Sequence, residues 1–204
     1  MDITIEGLGK RYNYDWIFRN LNYSFNANTD YAIVGSNGSG KSTFVKILSS
    51  FILPTEGKII YTSDGVLVEP EKVYSHIVFS APYLELIEEF TLREVFHFHF
   101  KFKKPLLGLN EFAERSRLAS ALNKQIKFFS SGMKQRLKLG LSFFSDCEVL
   151  FLDEPTSNLD SQGVEWYKEE VSKLIGKKMI FICSNQKHEY DFCKNILNIE
   201  KLSF

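Results

Sequence analysis

Three short stretches of this chain hold residues whose types and spacing could do chemistry on a phosphate anhydride. The first is Gly35-Ser36-Asn37-Gly38-Ser39-Gly40-Lys41-Ser42-Thr43, which fits G-x-x-x-x-G-K-[ST]. A loop that wraps a polyphosphate must bring backbone N–H groups close to oxygen atoms with no side chain between, and Gly35, Gly38 and Gly40 permit that approach. Lys41 would set its ammonium on the terminal phosphates, and Ser42 would give its hydroxyl to Mg2+. The helix that follows would aim the positive end of its dipole at the same anion. The second stretch, Cys147 to Pro155, is an apolar strand (Val149, Leu150, Phe151, Leu152) that ends in two adjacent carboxylates. Successive strand residues point to opposite faces, so Asp153 and Glu154 cannot share one job. Asp153 suits a Mg2+ held through its water shell, and Glu154 suits a general base that polarises the attacking water.

The third stretch, Phe129 to Arg136, is FSSGMKQR. It opens an amphipathic helix (Met133, Leu137, Leu139, Leu141) behind a Ser-Ser N-cap, and a helix start is again a place for a phosphate. This segment resembles the LSGGQ-K-Q-R signature of ABC transporter ATP-binding subunits. Ser130, Gly132, Gln135 and Arg136 agree with it, while Phe129, Ser131 and Met133 replace Leu, Gly and Gln. Ser157-Asn158-Leu159-Asp160 resembles the family's D-loop, and the order of the motifs follows the family from about Ile3 to Phe204.

The resemblance implies ATP and Mg2+ as cofactors and a homodimer formed on ATP binding. Each ATP would lie between the phosphate loop of one chain and Ser130, Ser131, Gly132 and Met133 of the other, with Asp160 reaching across. Hydrolysis would then move an integral-membrane permease subunit, which places the chain in the cytoplasm, peripheral on the inner face of the cell membrane. The family stacks an aromatic ring on adenine. Tyr12 matches that position, Tyr14 and Trp16 compete for it, and a Tyr in a strand also reads as packing. A soluble ABC-type ATPase of an assembly machine, or an ATP-binding subunit with weak turnover, remains an alternative.

Two residues depart from the family pattern. Asn185 stands where the switch His is expected, and Ala81 stands where a loop Gln is expected. Asn can donate a hydrogen bond to the γ-phosphate but cannot titrate near neutral pH, and Ala81 offers metal and water nothing. Slow hydrolysis is expected, with Glu154 as base and Asn185 as a γ-phosphate contact, although Asn185 also reads as a strand-end cap.

These groups need elements to hold them. Apolar patterning predicts strands over residues 3–6, 21–25, 31–34, 58–62, 76–79, 178–183 and 196–199. Helices are expected from Lys41, over 164–175 and over 189–193, with a short helical pattern in 106–127. Phe96, Phe98, Phe100 and Phe102 alternate like a strand, but the capping box from Thr91 to Glu94 and the family resemblance select a helix. The fold class is α/β: a P-loop ATPase core with a mostly parallel sheet, a small antiparallel N-terminal sheet and a short helical subdomain near 85–140, all in one domain over 1–204.

Lys plus Arg equal Asp plus Glu at 25 each, which gives no basic field for a nucleic-acid backbone, so no nucleic-acid partner is expected. No apolar run reaches membrane-spanning length and no signal peptide is evident. Cys147, Cys183 and Cys193 lack metal-ligand spacing, as do His97 and His99, so a reduced, cytosolic setting is expected.

Overall fold

Alternating apolar residues Ile3, Ile5, Phe18 and Phe25 face inward along two long strands, β1 (Asp2–Tyr12) and β2 (Asp15–Phe25). A two-residue turn joins them, with Asn13 at φ 53°, a conformation Asn tolerates. β4 (Glu56–Ser63) and β5 (Val66–Leu67) add to the same antiparallel sheet in the order β2-β1-β4-β5. The structure, a computed structural model, describes residues 1–202.

The second sheet is wholly parallel. It contains β3 (Asp30–Val34), β6 (Ile77–Ser80), β7 (Val149–Asp153), β8 (Met179–Cys183) and β9 (Asn195–Asn198), in the order β6-β7-β8-β3-β9. β7 and β8 are unbroken apolar runs because both of their faces are covered. Leu150, Leu152, Ile180 and Ile182 point into one core with Phe143, Trp166 and Tyr167. Val149, Phe151, Met179 and Phe181 point into the other, against Phe25 and Phe44 and the N-terminal sheet. Phe151 and Phe181 stack at 4.7 Å, which locks the neighbouring strands in register.

The helices are α1 (Lys41–Leu48), α2 (Val73–His76), α3 (Leu92–His99), α4 (Leu109–Arg115), α5 (Ser131–Phe143), α6 (Ser161–Ser172), α7 (Lys187–Tyr190) and α8 (Ile199–Leu202). Thr91 caps α3 with the reciprocal Glu94 bond that its sequence promises. Along this helix and the turn that follows it, the four alternating Phe residues form two pairs four apart: Phe96 with Phe100 at 4.6 Å, and Phe98 with Phe102 at 5.5 Å.

Element bounds differ from expectation along much of the chain: β1 and β2 are longer than the expected 3–6 and 21–25, and α6 begins at Ser161, capped by Asp160, three residues before the expected start. Three further differences have a local cause. The stretch 106–127 is helical only in α4 and in two single turns, because Arg117 at φ 57° ends the helix. α7 begins two residues earlier than expected. The Gln186 N–H bonds the Ser184 hydroxyl at 2.8 Å and turns the chain there. β9 ends at Asn198, whose side-chain oxygen accepts from the Glu200 N–H at 2.9 Å, so Ile199 opens α8 instead.

Among the described residues, no helix is long and apolar enough to cross a membrane. The parallel strands all end on one edge, where β3 leads into the phosphate loop, β7 into Asp153 and Glu154, and β8 into Ser184 and Asn185. Crevices at such strand ends are where sheets of this type take ligands.

Candidate functional site

The phosphate loop is closed by a neighbour that sequence reasoning missed. Gly40 sits at φ 95° at the start of α1, and a Cβ there would lie 2.3 Å from Ile17 Cγ2 of β2. Conformation and space both require glycine. Lys41, the first residue of α1, is 8% exposed, and its Nζ donates to the carbonyls of Gly35 at 2.9 Å and Ser36 at 3.0 Å. Its ammonium therefore lies along the inner rim of the loop. The Ser36 N–H and hydroxyl both donate to Glu200 of α8, and these bonds hold that carboxyl below its ordinary range. Asn185 Nδ2 donates to Asn37 Oδ1 at 2.8 Å, which places the residue aligned with the switch His on the phosphate loop.

Cys183 marks the point where the loop meets the carboxylates. It pairs in register with Asp153, and its thiol faces both Asp153 and the Ser42 hydroxyl, with Lys41 near. Burial first, and Asp153 second, push that thiol far up, so it stays protonated. Asp153 is 2% exposed: Oδ2 accepts from the Tyr83 hydroxyl at 2.9 Å, and Oδ1 is buried without a hydrogen-bond partner. Burial and the neighbouring Asp153 raise Tyr83 well above a free phenol, so it acts as a donor. Ala81, at the expected loop position, is buried. No local pattern marks Tyr83, which lies 70 residues from the carboxylate it serves.

Glu154 takes φ 44°, an unfavourable conformation for this residue type. That twist leaves its carboxyl exposed while Asp153 stays buried. The two carboxylates are thus given different surroundings.

The signature segment opens α5. Ser130 is its N-cap and accepts from the Met133 N–H at 3.2 Å. Ser131 begins the helix exposed, and Gly132 faces the D-loop so closely that a Cβ would lie 3.1 Å from the Asn158 carbonyl. Buried Gln135 donates to the Pro155 carbonyl at 2.8 Å. Asp160 caps α6 through the Gly163 N–H at 2.8 Å. No hydrogen bond or ion pair joins residues 130–133 to the phosphate loop among the described residues.

Of the three rings proposed for adenine, Trp16 is flanked by the guanidiniums of Arg19 at 4.5 Å and Arg11 at 5.3 Å. Tyr14 is almost fully exposed, and Tyr12 is half exposed beneath Lys10. His99 bonds the Ser145 hydroxyl at 3.0 Å, and burial pushes it down to about 4.

A glycine-rich loop at a strand end, followed by a helix and flanked by a strand-end carboxylate, defines an α/β nucleotide-binding protein of the P-loop class. The family model described as ABC transporter matches residues 18–157, and the chain belongs to that family. It is 32% identical over 179 residues to the daunorubicin resistance ATP-binding protein DrrA3 of Streptomyces coeruleorubidus, covering 85% of this chain and 57% of that protein. The chain therefore spans little more than half of that relative. It is also 32% identical over 213 aligned positions to the energy-coupling factor transporter ATP-binding protein EcfA1 of Thermotoga maritima, covering 97% of this chain and 79% of that one. In fold it is similar to an ATP-binding protein of a putative ABC transporter from Pyrococcus furiosus, with TM-score 0.82, 21% identity and full coverage of both chains. The cassette MJ0796, in a dimeric post-hydrolysis state with ADP and Pi, gives TM-score 0.83 at 20% identity, over 96% of this chain and 93% of that one.

Proposed function

We propose that the chain binds Mg-ATP on residues 35–43, hydrolyses it as a homodimer, and thereby drives an integral-membrane permease from the inner face of the cell membrane. The observation that carries this reading is the meeting of Lys41, Ser42 and Asp153 around Cys183, at the mouth of the phosphate loop. The donor set fits Mg2+: a hydroxyl and a buried carboxylate whose Oδ1 has no partner are hard oxygen ligands. When bound, the cation would neutralise charge that develops on the phosphate oxygens.

The remaining work belongs to the chain's own groups. Lys41 exchanges two loop carbonyls for phosphate oxygens, and the first N–H groups of α1, free of intrahelical partners, bond the same anion. Glu154 takes the proton of the attacking water. Asn185 gives Nδ2 to the γ-phosphate in place of Asn37. The second subunit closes the site with Ser130, Ser131, Gly132 and Met133, Asp160 contributes at the joint, and Tyr12 stacks on the base.

A groove of about 310 Å³ supports the membrane partner. It lies beside α3, lined by Ile87, Phe90, Phe98, Phe102 and Leu141. Phe98 and Phe102 are exposed in it, an apolar face suited to covering by another protein. The names of the relatives, both transport or resistance ATP-binding proteins, point the same way. The soluble assembly-machine alternative has no such support. Weak turnover is a second reading, favoured by Asn185 and Ala81.

Retention of a labelled ATP analogue tests the binding step. Lys41→Ala should abolish it, and equal binding by parent and variant would remove Lys41 from the site. Co-purification of an integral protein from native membranes tests the transport step.

A further inference from the structure

The loop between β6 and α3 carries a group that neither the family pattern nor the reaction outlined above accounts for. Tyr83 lies on that loop with its hydroxyl 2.9 Å from Asp153 Oδ2. Its ring is covered by Lys46 Nζ of α1 at 4.2 Å from the centroid, so the helix that carries Lys41 and Ser42 also holds the ring. The backbone on both sides is tied down by one ammonium. Lys138 Nζ of α5 donates to the carbonyls of Ala81 at 3.3 Å, Pro82 at 2.6 Å and Leu84 at 3.3 Å.

We infer that Tyr83 is the positioning residue of the metal-facing carboxylate, and that Lys138 ties its placement to the signature helix. This rests on the reading of Asp153 as a Mg2+ carboxylate. A carboxylate has two oxygens, and the phenol occupies one of them. Oδ1, buried and unpartnered, is left for the cation or its water shell. A charge-assisted hydrogen bond fixes the side-chain rotamer before metal arrives, and outer bonds of this kind are what orient ligating carboxylates. Without the hydroxyl, Oδ2 is a buried acceptor with no donor, and the carboxylate is free to turn.

The lever to α5 follows from geometry. Three backbone carbonyls of the 81–84 loop converge on Lys138, six residues beyond Gly132 of the signature. A shift of α5 against the parallel sheet must therefore drag the 81–84 backbone, and with it the donor on Asp153. Closure of a second subunit on the signature would in this way be felt at the metal carboxylate of the same chain.

Tyr83→Phe keeps the ring and its contact with Lys46 and removes only the hydroxyl. Mn2+ binding to the ADP-loaded protein, followed by the electron-spin signal of free Mn2+, is the decisive measurement. Metal-free ADP binding in chelator and the thermal midpoint are taken alongside. The expected result is Mn2+ affinity weakened about tenfold in Tyr83→Phe, with metal-free ADP affinity unchanged. Asp153→Asn serves as the reference for losing the carboxylate. If Asp153→Asn loses Mn2+ while Tyr83→Phe matches the parent, the role given to Tyr83 is wrong and the metal reading stands. If Asp153→Asn also matches the parent, the metal reading falls and the inference with it. Equal losses of Mn2+ and of metal-free ADP in Tyr83→Phe would mark a merely structural residue. Lys138→Met should weaken Mn2+ as well, and the double variant should be no weaker than Tyr83→Phe alone, because both act through one bond. Additive losses would break the link to α5.

Discussion

Asn185 shows how much a single side chain decides at this site. It sits on the phosphate loop through its 2.8 Å bond to Asn37, and it has no proton to give or take near neutral pH. If it serves the γ-phosphate, Asn185→Ala should lower turnover about tenfold or more, the worth of a hydrogen bond to a charged group. Turnover of the parent should be flat across neutral pH. Asn185→His should add a limb near pH 6.5, the ordinary range of imidazole. Phosphate release by the three proteins from pH 5.5 to 8.5 decides the matter, and equal rates for parent and Asn185→Ala would leave Asn185 a mere cap on the loop. Cys183 makes a quieter point at the same scale. It is buried, yet its thiol lies where Ser42 and Asp153 meet. Held protonated, it should resist alkylation in the folded protein.

The helix α3 carries the clearest pH dependence. His99 is pushed down to about 4 by burial first and by Lys103 second, against 6.5 for the free side chain. The unfolded chain takes up this proton near pH 6.5, whereas the folded chain refuses it until about 4. Stability should therefore fall as pH drops through that window, by at most about 3 kcal/mol, and the His99 contribution should be level above and below it. Urea midpoints of the parent and of His99→Gln between pH 4 and 7 test this, and an equally steep acid limb in His99→Gln would exclude His99 as its source. α3 also shows what local sequence can and cannot reveal. Its capping box and the strand runs of β7 and β8 are short-range patterns, fixed by neighbours three residues away or by burial on both faces. Phe96 through Phe102 satisfy two periods at once, and only the cap and the family resemblance separate them. Tyr83 on Asp153, Glu200 on Ser36 and Ile17 over Gly40 are different. Each joins residues more than twenty apart, with no periodicity or spacing to announce it. The phosphate loop was legible because backbone geometry forces its glycines. The groups that close it are set by tertiary packing, which leaves no signal in one sequence.

At the scale of the whole molecule, the separation of the two helix starts proposed to bind phosphate is the main fact. The phosphate loop lies at the end of β3, while Ser130 to Met133 make no bond to it and are held instead beside the D-loop by Gly132 and Gln135. On the proposed reading the chain carries both halves of a site, apart, and would complete it by pairing with a second copy through a two-fold axis, since each surface then meets the other twice. Glu154 is exposed beside that D-loop, with its hydroxyl neighbour Ser157 at 3.4 Å. Neutralising its carboxylate spares every contact made by Lys41 and Ser42 but removes the group proposed to take the water's proton. Glu154→Gln should therefore accumulate an ATP-bound dimer, while the parent dimer disperses as nucleotide is consumed. Sizing of both proteins with and without ATP, with Lys41→Ala carried in parallel, makes the comparison. The dimer should appear only for Glu154→Gln with ATP, and should vanish when Lys41→Ala is added to it. A Glu154→Gln protein that stays monomeric at saturating ATP, both alone and with its co-purified membrane partner, would rule out the paired site.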